Sequence, residues 1–391
     1  MANRRDYYDD YDYEPRRKSS SSKSSGGNRS EAARRKAAAK KKAQKKRKRI
    51  LLFIFEIVIL AILVVVLYAV FKTDKIQKIS IDEDDIVINE QVEQNESMKG
   101  YKNIALFGVD ARDKSLGKGN RSDTIIIASI NEDTGDIKLC SVYRDTYLNL
   151  GNDTYNKCNA AYAKGGPEQA INMLNMNLDL NITDYVTVGF TGLAEAIDAV
   201  GGIEVDVMDS EISHLNNYQI SMVGKSDDNE HFYATEGKDY TAVTSAGRQT
   251  LNGLQATAYC RIRYVGDDFQ RAERQRTVLA AVMDKAKTMN PSTLNKALDD
   301  VLPYVSTSLD VDEMTSMLGN ITKYNIKGSD GFPFESNRAT GKVGSKGSCV
   351  IPNNLEQNVV LLQQFLFDNS EYVPSDQVKN YSSKVSSDTG Y

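Results

Sequence analysis

The longest apolar stretch in the chain is "ILLFIFEIVILAILVVVLYAVF", Ile50 to Phe71, in which Glu56 is the only charge. As a helix these 22 residues would extend about 33 Å, enough to cross the hydrocarbon core of a bilayer. The run is too long for the apolar part of a cleaved signal peptide and has no small-residue cleavage site, so a retained membrane helix is expected rather than a signal peptide or a buried core helix. Beyond it the hydrophobic period shortens. Segments 103–109, 123–130, 137–143, 185–190 and 203–207 are apolar and β-branched enough to be strands covered on both faces.

Helical patterns alternate with these strands. "GGPEQAINMLNMNL" places Pro167 at a favoured first helical position, and "TGLAEAIDAVGG" stops at Gly201-Gly202. Further helices are expected over 271–289, within 290–305 and 310–322, and as a closing element at 353–367. Strands alternating with helices predict a three-layer α/β domain. Residues 208–247 read as a polar, turn-rich insertion. The expected organisation is a tail over 1–49, a membrane helix over 50–71, a stalk with at most one strand over 72–100, a folded domain over 101–368 and a flexible tail over 369–391.

Charge sharpens this picture. Residues 1–49 hold 18 Lys and Arg against 6 Asp and Glu, a net of +12, whereas the whole chain is −4, leaving −16 for the remainder. The run "KKKAQKKRKR", Lys40 to Arg49, abuts the apolar segment and orients it with its N-terminus in the cytoplasm. Nucleic-acid binding is the other use of such a run, but an anchor beside acidic headgroups explains the same charges. The preceding segment is rich in Ser, Gly and charge and is expected to be disordered. A single-pass protein of the cell membrane follows, with its folded domain outside the cytoplasm.

Four cysteines, Cys140, Cys158, Cys260 and Cys349, match no zinc spacing, and both two disulfides and buried free thiols remain open. The two histidines, His214 and His231, lie in a polar region and suggest neither a metal site nor a histidine-based hydrolase.

The chemistry gathers in "RIRYVGDDFQRAERQ", Arg261 to Gln275. If residues 259–264 are extended, Arg261 and Arg263 share a face. If a helix starts near Phe269, then Arg271, Arg274 and Gln275 share another. Guanidinium groups match phosphate oxygens in bidentate fashion and stay charged. The plainer reading is a set of surface salt bridges with Asp267, Asp268 and Glu273. Two other segments favour an anion site. Asp110 follows one buried strand and Asp123 opens the next, which suits a magnesium ion that also takes phosphate oxygens. "LCSVYRDT" puts Arg144 and Asp145 at the end of a third strand, where α/β sheets gather their ligands.

Together the blocks "NIALFGVDAR", "NRSDTIIIASI", "SVYRDTY", "KCNAAYAKGGPEQAI", "AVGGIEVDV", "LNGLQATAYCRIRY" and "DDFQRAERQ" resemble the LytR-CpsA-Psr (LCP) family, in family order across roughly residues 101–285. The resemblance implies the LCP fold, a three-layer α-β-α domain with a central mixed sheet. It implies a phosphotransferase that moves a glycopolymer, such as teichoic acid or capsular polysaccharide, from an undecaprenyl-pyrophosphate carrier to peptidoglycan. It also implies Mg2+ at Asp110 and Asp123, and a pyrophosphate clamp of Arg121, Arg144, Arg261, Arg263, Arg271 and Arg274 with Gln275. Lys157 and Asn159 would border the same pocket, and Asp145 would orient an arginine or deprotonate the acceptor. Tyr143 and Cys158 depart from the usual proline and aliphatic residue. The alternatives to a transferase with possible pyrophosphatase side activity are a membrane-bound transcriptional attenuator and a non-catalytic lipid-pyrophosphate scaffold. No nucleic-acid partner is expected.

Overall fold

A computed structural model of the protein describes Gln77, Ile79, Ile81 and residues 83–391, except 112–114 and 227–231. These residues fall in one compact unit, Tyr68–Tyr391. The basic tail and the apolar run Ile50–Phe71 lie outside the described residues, among which no helix is long and apolar enough to cross a membrane.

The chain runs through α1 (Glu90–Glu93), β1 (Tyr101–Val109), β2 (Ser122–Asn131), β3 (Asp136–Val142), the hairpin β4 (Tyr147–Asn149) and β5 (Tyr155–Lys157), and α2 (Asn159–Leu178). Then come β6 (Asp184–Gly189), α3 (Phe190–Ala199), β7 (Ile203–Val207), α4 (Asp209–Val223), the short pair β8 (Lys225–Ser226) and β9 (Phe232–Tyr233), β10 (Gly247–Leu251) and α5 (Gly253–Tyr259). The last part holds α6 (Asp268–Lys287), α7 (Pro291–Val301), β11 (Val305–Thr307), α8 (Val311–Gly319), β12 (Asn325–Phe332), β13 (Arg338–Lys342), β14 (Ser348–Pro352), α9 (Leu355–Phe367) and α10 (Asp376–Thr389).

Six strands form the central sheet in the order β11-β6-β1-β2-β3-β12. It is mixed: β1 pairs parallel with β6 and antiparallel with β2, and β12 runs parallel to β3. Strand alternation splits its side chains between two cores. Ala105, Phe107, Val109, Ile125 and Ile127 pack with α2, α9 and α10, whereas Ile104, Ile126, Ala128 and Leu139 pack with Leu279 and Met283 of α6 and Met314 and Met317 of α8. The expected three layers are therefore present.

Several expectations change. Ile203–Val207 is a strand but not part of this sheet; β7 pairs only with β10, over a separate core that includes Leu215, Ala256, Ile262 and Val278. The expected insertion 208–247 contains α4. Residues 259–264 are not extended: α5 ends at Tyr259 and a turn follows. The helix expected from Pro167 is present, but a further helical stretch from Asn159 precedes it, and the two meet at a kink at Gly166, whose φ of 74° is non-helical. The described part of the stalk is docked, with Val92 and Met98 buried in the main core.

The tail over 369–391 is likewise not loose. Helix α10 buries Val378, Tyr381 and Val385 in the domain. Each buried valine contributes about 1.5–3 kcal/mol, so truncation before Asp376 is expected to lower stability by several kcal/mol. Thermal denaturation of the truncated and full chains checks this; equal midpoints would mean that the helix is dispensable.

Candidate functional site

A cavity of about 410 Å³ opens beside the sheet. Much of its wall is apolar: Leu106, Ile126, Val186 and Val188 from the strands, Leu193 from α3, and Val278, Leu279 and Val282 from α6. The polar side chains on its lining include Asp110, Asp123, Arg261, Arg263, Arg271 and Gln275. The topology explains the convergence. The C-terminal end of β1 lies beside the N-terminal end of β2, with a register shift at Gly108/Val109, so Asp110 and Asp123 meet across the pair. A Cβ on Gly108 would stand 2.8 Å from Thr124 Cβ, so glycine is required for these two strand ends to approach.

Arginines and carboxylates interleave around these polar residues. Arg144 Nη1 donates to Asp123 Oδ1 at 2.7 Å. Asp268, in the first turn of α6, faces three guanidinium groups: Arg271 Nη2 at 2.9 Å, Arg144 Nε at 3.7 Å and Arg263 Nε at 3.9 Å. Lys157 Nζ lies 3.4 Å from Asp145 Oδ1, which is itself 4.0 Å from Arg144 Nε. The helix start is fixed by Asp267, whose carboxylate accepts from the N–H groups of Phe269 and Gln270. Burial pushes the Arg271 guanidinium down to about 10; Asp268 opposes that shift, while Arg144 and Arg263 add to it by like-charge repulsion. Burial also disfavours the Arg144 cation, but Asp123, by charge and hydrogen bond, holds Arg144 above its ordinary value. The buried Nε atoms of Arg144 and Arg271 have no hydrogen-bond partner. Crowded, partly unsatisfied cations of this kind are stabilised by an incoming anion.

The predicted residues divide. Asp110, Asp123, Arg261, Arg263, Arg271 and Gln275 share the cavity, and Arg144 joins them through Asp123. Asp145 and Lys157 form a second rank behind Arg144. Asn159 is buried at the start of α2, where its N–H donates to the Arg144 carbonyl; Arg121 is exposed just before β2. Arg274 does not join the clamp. It is buried, and donates to Glu211 Oε1 at 2.6 Å and to the carbonyls of Ile262 and Val265. Helix α4, which supplies Glu211, turns this guanidinium away from the cavity. The surface salt-bridge reading holds only in part: Asp268 pairs with Arg271 and lies near Arg263, but Asp267 caps a helix instead.

The sequence reading treated Asp268 only as a surface salt-bridge partner and missed its place among the site arginines, although its i, i+3 spacing to Arg271 was a usable signal. Phe190 and Tyr218 were missed too; their rings lie 4.4 and 5.5 Å from the Arg261 guanidinium. Both unusual residues are accounted for by contacts. Tyr143 packs edge-on against Phe269 and accepts from Arg338 Nη1 at 3.0 Å. The Cys158 thiol donates to the Tyr143 and Arg144 carbonyls at 3.2 and 3.3 Å, fixing the strand end that carries Arg144.

All four cysteines are buried free thiols. Burial pushes Cys140 and Cys158 up strongly and Cys260 up to about 12. Native protein at pH 8 is therefore expected to resist a thiol reagent, whereas unfolding without reductant should expose four reactive groups. Two groups fewer on unfolding would indicate a disulfide. Because these thiols titrate higher in the folded chain than in the unfolded one, their contribution to stability is present below the ordinary thiol range and is lost as pH rises above it.

Among the described residues no group of three or more His, Cys, Asp and Glu side chains forms a metal site. Asp110 and Asp123 on the cavity lining supply hard oxygen ligands, a donor set that fits Mg2+ when substrate phosphates complete the coordination.

The LytR_cpsA_psr family model matches residues 63–357. The chain belongs to the LytR-CpsA-Psr family. A relative from Oceanobacillus iheyensis, named polyisoprenyl-teichoic acid–peptidoglycan teichoic acid transferase TagU, is 32% identical over 61% of this chain and 70% of its own. Biofilm regulatory protein A of Streptococcus mutans is 30% identical over 71% of this chain and 72% of its own. The crystal structure of B. subtilis TagV matches with a TM-score of 0.53 and 25% identity, covering 71% of this chain and 99% of that one. A structure of TagT bound to LIIa-WTA, at TM-score 0.53 and 22% identity over 71% and 94% of the two chains, shares the fold. The α/β architecture with a central mixed sheet is thus that of the LCP proteins.

Proposed function

We propose that this LCP protein transfers a glycopolymer from an undecaprenyl-pyrophosphate carrier to peptidoglycan, from a single-pass anchor at the outer face of the cell membrane. One observation carries the reading: a single cavity is lined both by apolar side chains of the sheet, α3 and α6 and by arginines and carboxylates. A polyprenyl pyrophosphate has the same division, with an apolar chain and a dianionic head. The names of the relatives support teichoic acid as the polymer class, and the apolar run Ile50–Phe71 behind a basic tail supports the anchor.

In this reading Arg261, Arg263 and Arg271 grip the pyrophosphate, with Gln275 donating to one oxygen. Arg144 is poised by Asp123 and Asp268. Asp110 and Asp123 would hold Mg2+, which when bound supplies charge neutralisation at the phosphate oxygens. The acceptor hydroxyl attacks the sugar-linked phosphorus. A new P–O bond forms, the bridging P–O bond breaks, undecaprenyl phosphate leaves, and the hydroxyl proton passes to a base. Asp145 either takes that proton or orients Arg144. Charge placement of this kind is sufficient for phosphoryl transfer, which needs little covalent help from the protein. Water in place of the acceptor would give pyrophosphatase side activity.

The test uses purified protein, a lipid-pyrophosphate-linked glycopolymer and peptidoglycan fragments. A phosphodiester-linked product with release of polyprenyl phosphate, lost on chelation of magnesium, is expected. Binding of the lipid without any turnover would favour the scaffold alternative and overturn the proposal.

A further inference from the structure

Next to the clamp stands a surface that phosphate chemistry leaves unused. Tyr264 directly follows Arg263 and is 79% exposed. Its ring is nevertheless supported: it stacks on His214, with centroids 5.7 Å apart and planes inclined by 28°. His214 and Tyr218 are four residues apart on α4 and share one face of that helix. Tyr218 lines the cavity, and Arg261 lies over both its ring and that of Phe190. Phe190, Tyr218, His214 and Tyr264 therefore form an aromatic rim that leads from the cavity wall to solvent.

A well-supported aromatic face left in water is suited to a flat ligand with one apolar face and a polar edge. A pyranose ring has that character. Consecutive residues are about 3.8 Å apart at Cα, so Arg263 and Tyr264 can serve neighbouring groups of one ligand, a phosphate and its sugar. We infer that the Tyr264–His214 pair is a saccharide subsite that stacks a sugar ring beside the phosphate clamp. The inference rests on the proposed clamp and specifies what lies outside it. The sugar belongs either to the carrier-linked polymer or to the peptidoglycan acceptor; the recognition chemistry is the same.

The chain contains no tryptophan, so Tyr264→Trp introduces a single fluorescent reporter at the subsite. Three probes are titrated: a sugar-free polyprenyl pyrophosphate, the same lipid carrying glycan, and soluble peptidoglycan glycan strands. A saturable emission change is expected with a glycan and not with the sugar-free lipid; the glycan that gives it identifies the source. By calorimetry, Tyr264→Ala should weaken that glycan about tenfold, a typical loss for one aromatic stacking contact, while Tyr264→Phe preserves affinity. Sugar-free lipid affinity should be unchanged in both. The inference is overturned if neither glycan alters the emission, if Tyr264→Ala binds glycans as wild type does, or if it weakens the sugar-free lipid equally. Failure of wild type to bind the sugar-free lipid is a separate result that rejects the clamp, since the glycan strands report on Tyr264 without it.

Discussion

Arg263→Ala is expected to lower kcat/KM for glycopolymer transfer by about a hundred- to a thousandfold, the usual loss when one preorganised donor to transition-state charge is removed. Arg263 is the clearest choice because its side chain is 41% exposed and its carboxylate neighbour, Asp268, is 3.9 Å away, beyond hydrogen-bond reach. The guanidinium is therefore available to a phosphate in a way that Arg144, bonded to Asp123, is not. Its loss leaves no buried charge unpaired, so the thermal midpoint should stay within a degree or two of wild type. Arg263→Lys should recover only part of the activity, since an ammonium keeps the charge but loses the bidentate fork. Steady-state kinetics of both variants beside their melting curves decides the matter. An Arg263→Ala enzyme within a few-fold of wild type would remove this residue from the clamp.

How far the sequence revealed the site depended on whether neighbours in space were also neighbours in the chain. Asp110 and Asp123 were legible because each flanks a strongly apolar strand, and those two strands are paired. Arg261 and Arg263 reach the cavity although the extended conformation expected for them is absent; a turn after α5 delivers both. Arg271 and Gln275 share the expected helix face. Arg274 was grouped with them by spacing, but its partner Glu211 comes from α4, within a polar segment read as turns. No local pattern could show that pairing. The fold has the same division. Runs such as Ile125–Ile127 announce their strand, whereas β12 contains Lys327, Gly328, Asp330 and Gly331 and is held by backbone pairing to β3. Likewise α10 carries a sparse stripe, Val378, Tyr381 and Val385, in an otherwise polar sequence, and only the domain surface that covers it reveals its purpose.

Arg274→Ala is expected to behave oppositely to Arg263→Ala, destabilising the fold by about 3–5 kcal/mol, the usual cost of leaving one member of a buried ion pair alone. Arg274 and Glu211 have side chains 5% and 1% exposed, with Nε and Oε1 2.6 Å apart. Glu211 Oε2 also accepts from the Met208 N–H at the start of α4, so the carboxylate cannot simply turn to solvent. Replacing both partners with apolar residues, Arg274→Met with Glu211→Leu, should recover much of the loss, since neither charge is then stranded. Recovery of activity should lag behind, for a geometric reason. Arg274 also donates to the carbonyls of Ile262 and Val265, which bracket Arg263 and Tyr264, and so it pins the turn that presents them. The double variant would have a sound core and a slack turn, with near-native urea midpoint and reduced kcat. Urea denaturation and kinetics on the two variants separate these effects. An Arg274→Ala protein with a wild-type urea midpoint would show that this pair does not hold α4 against α6.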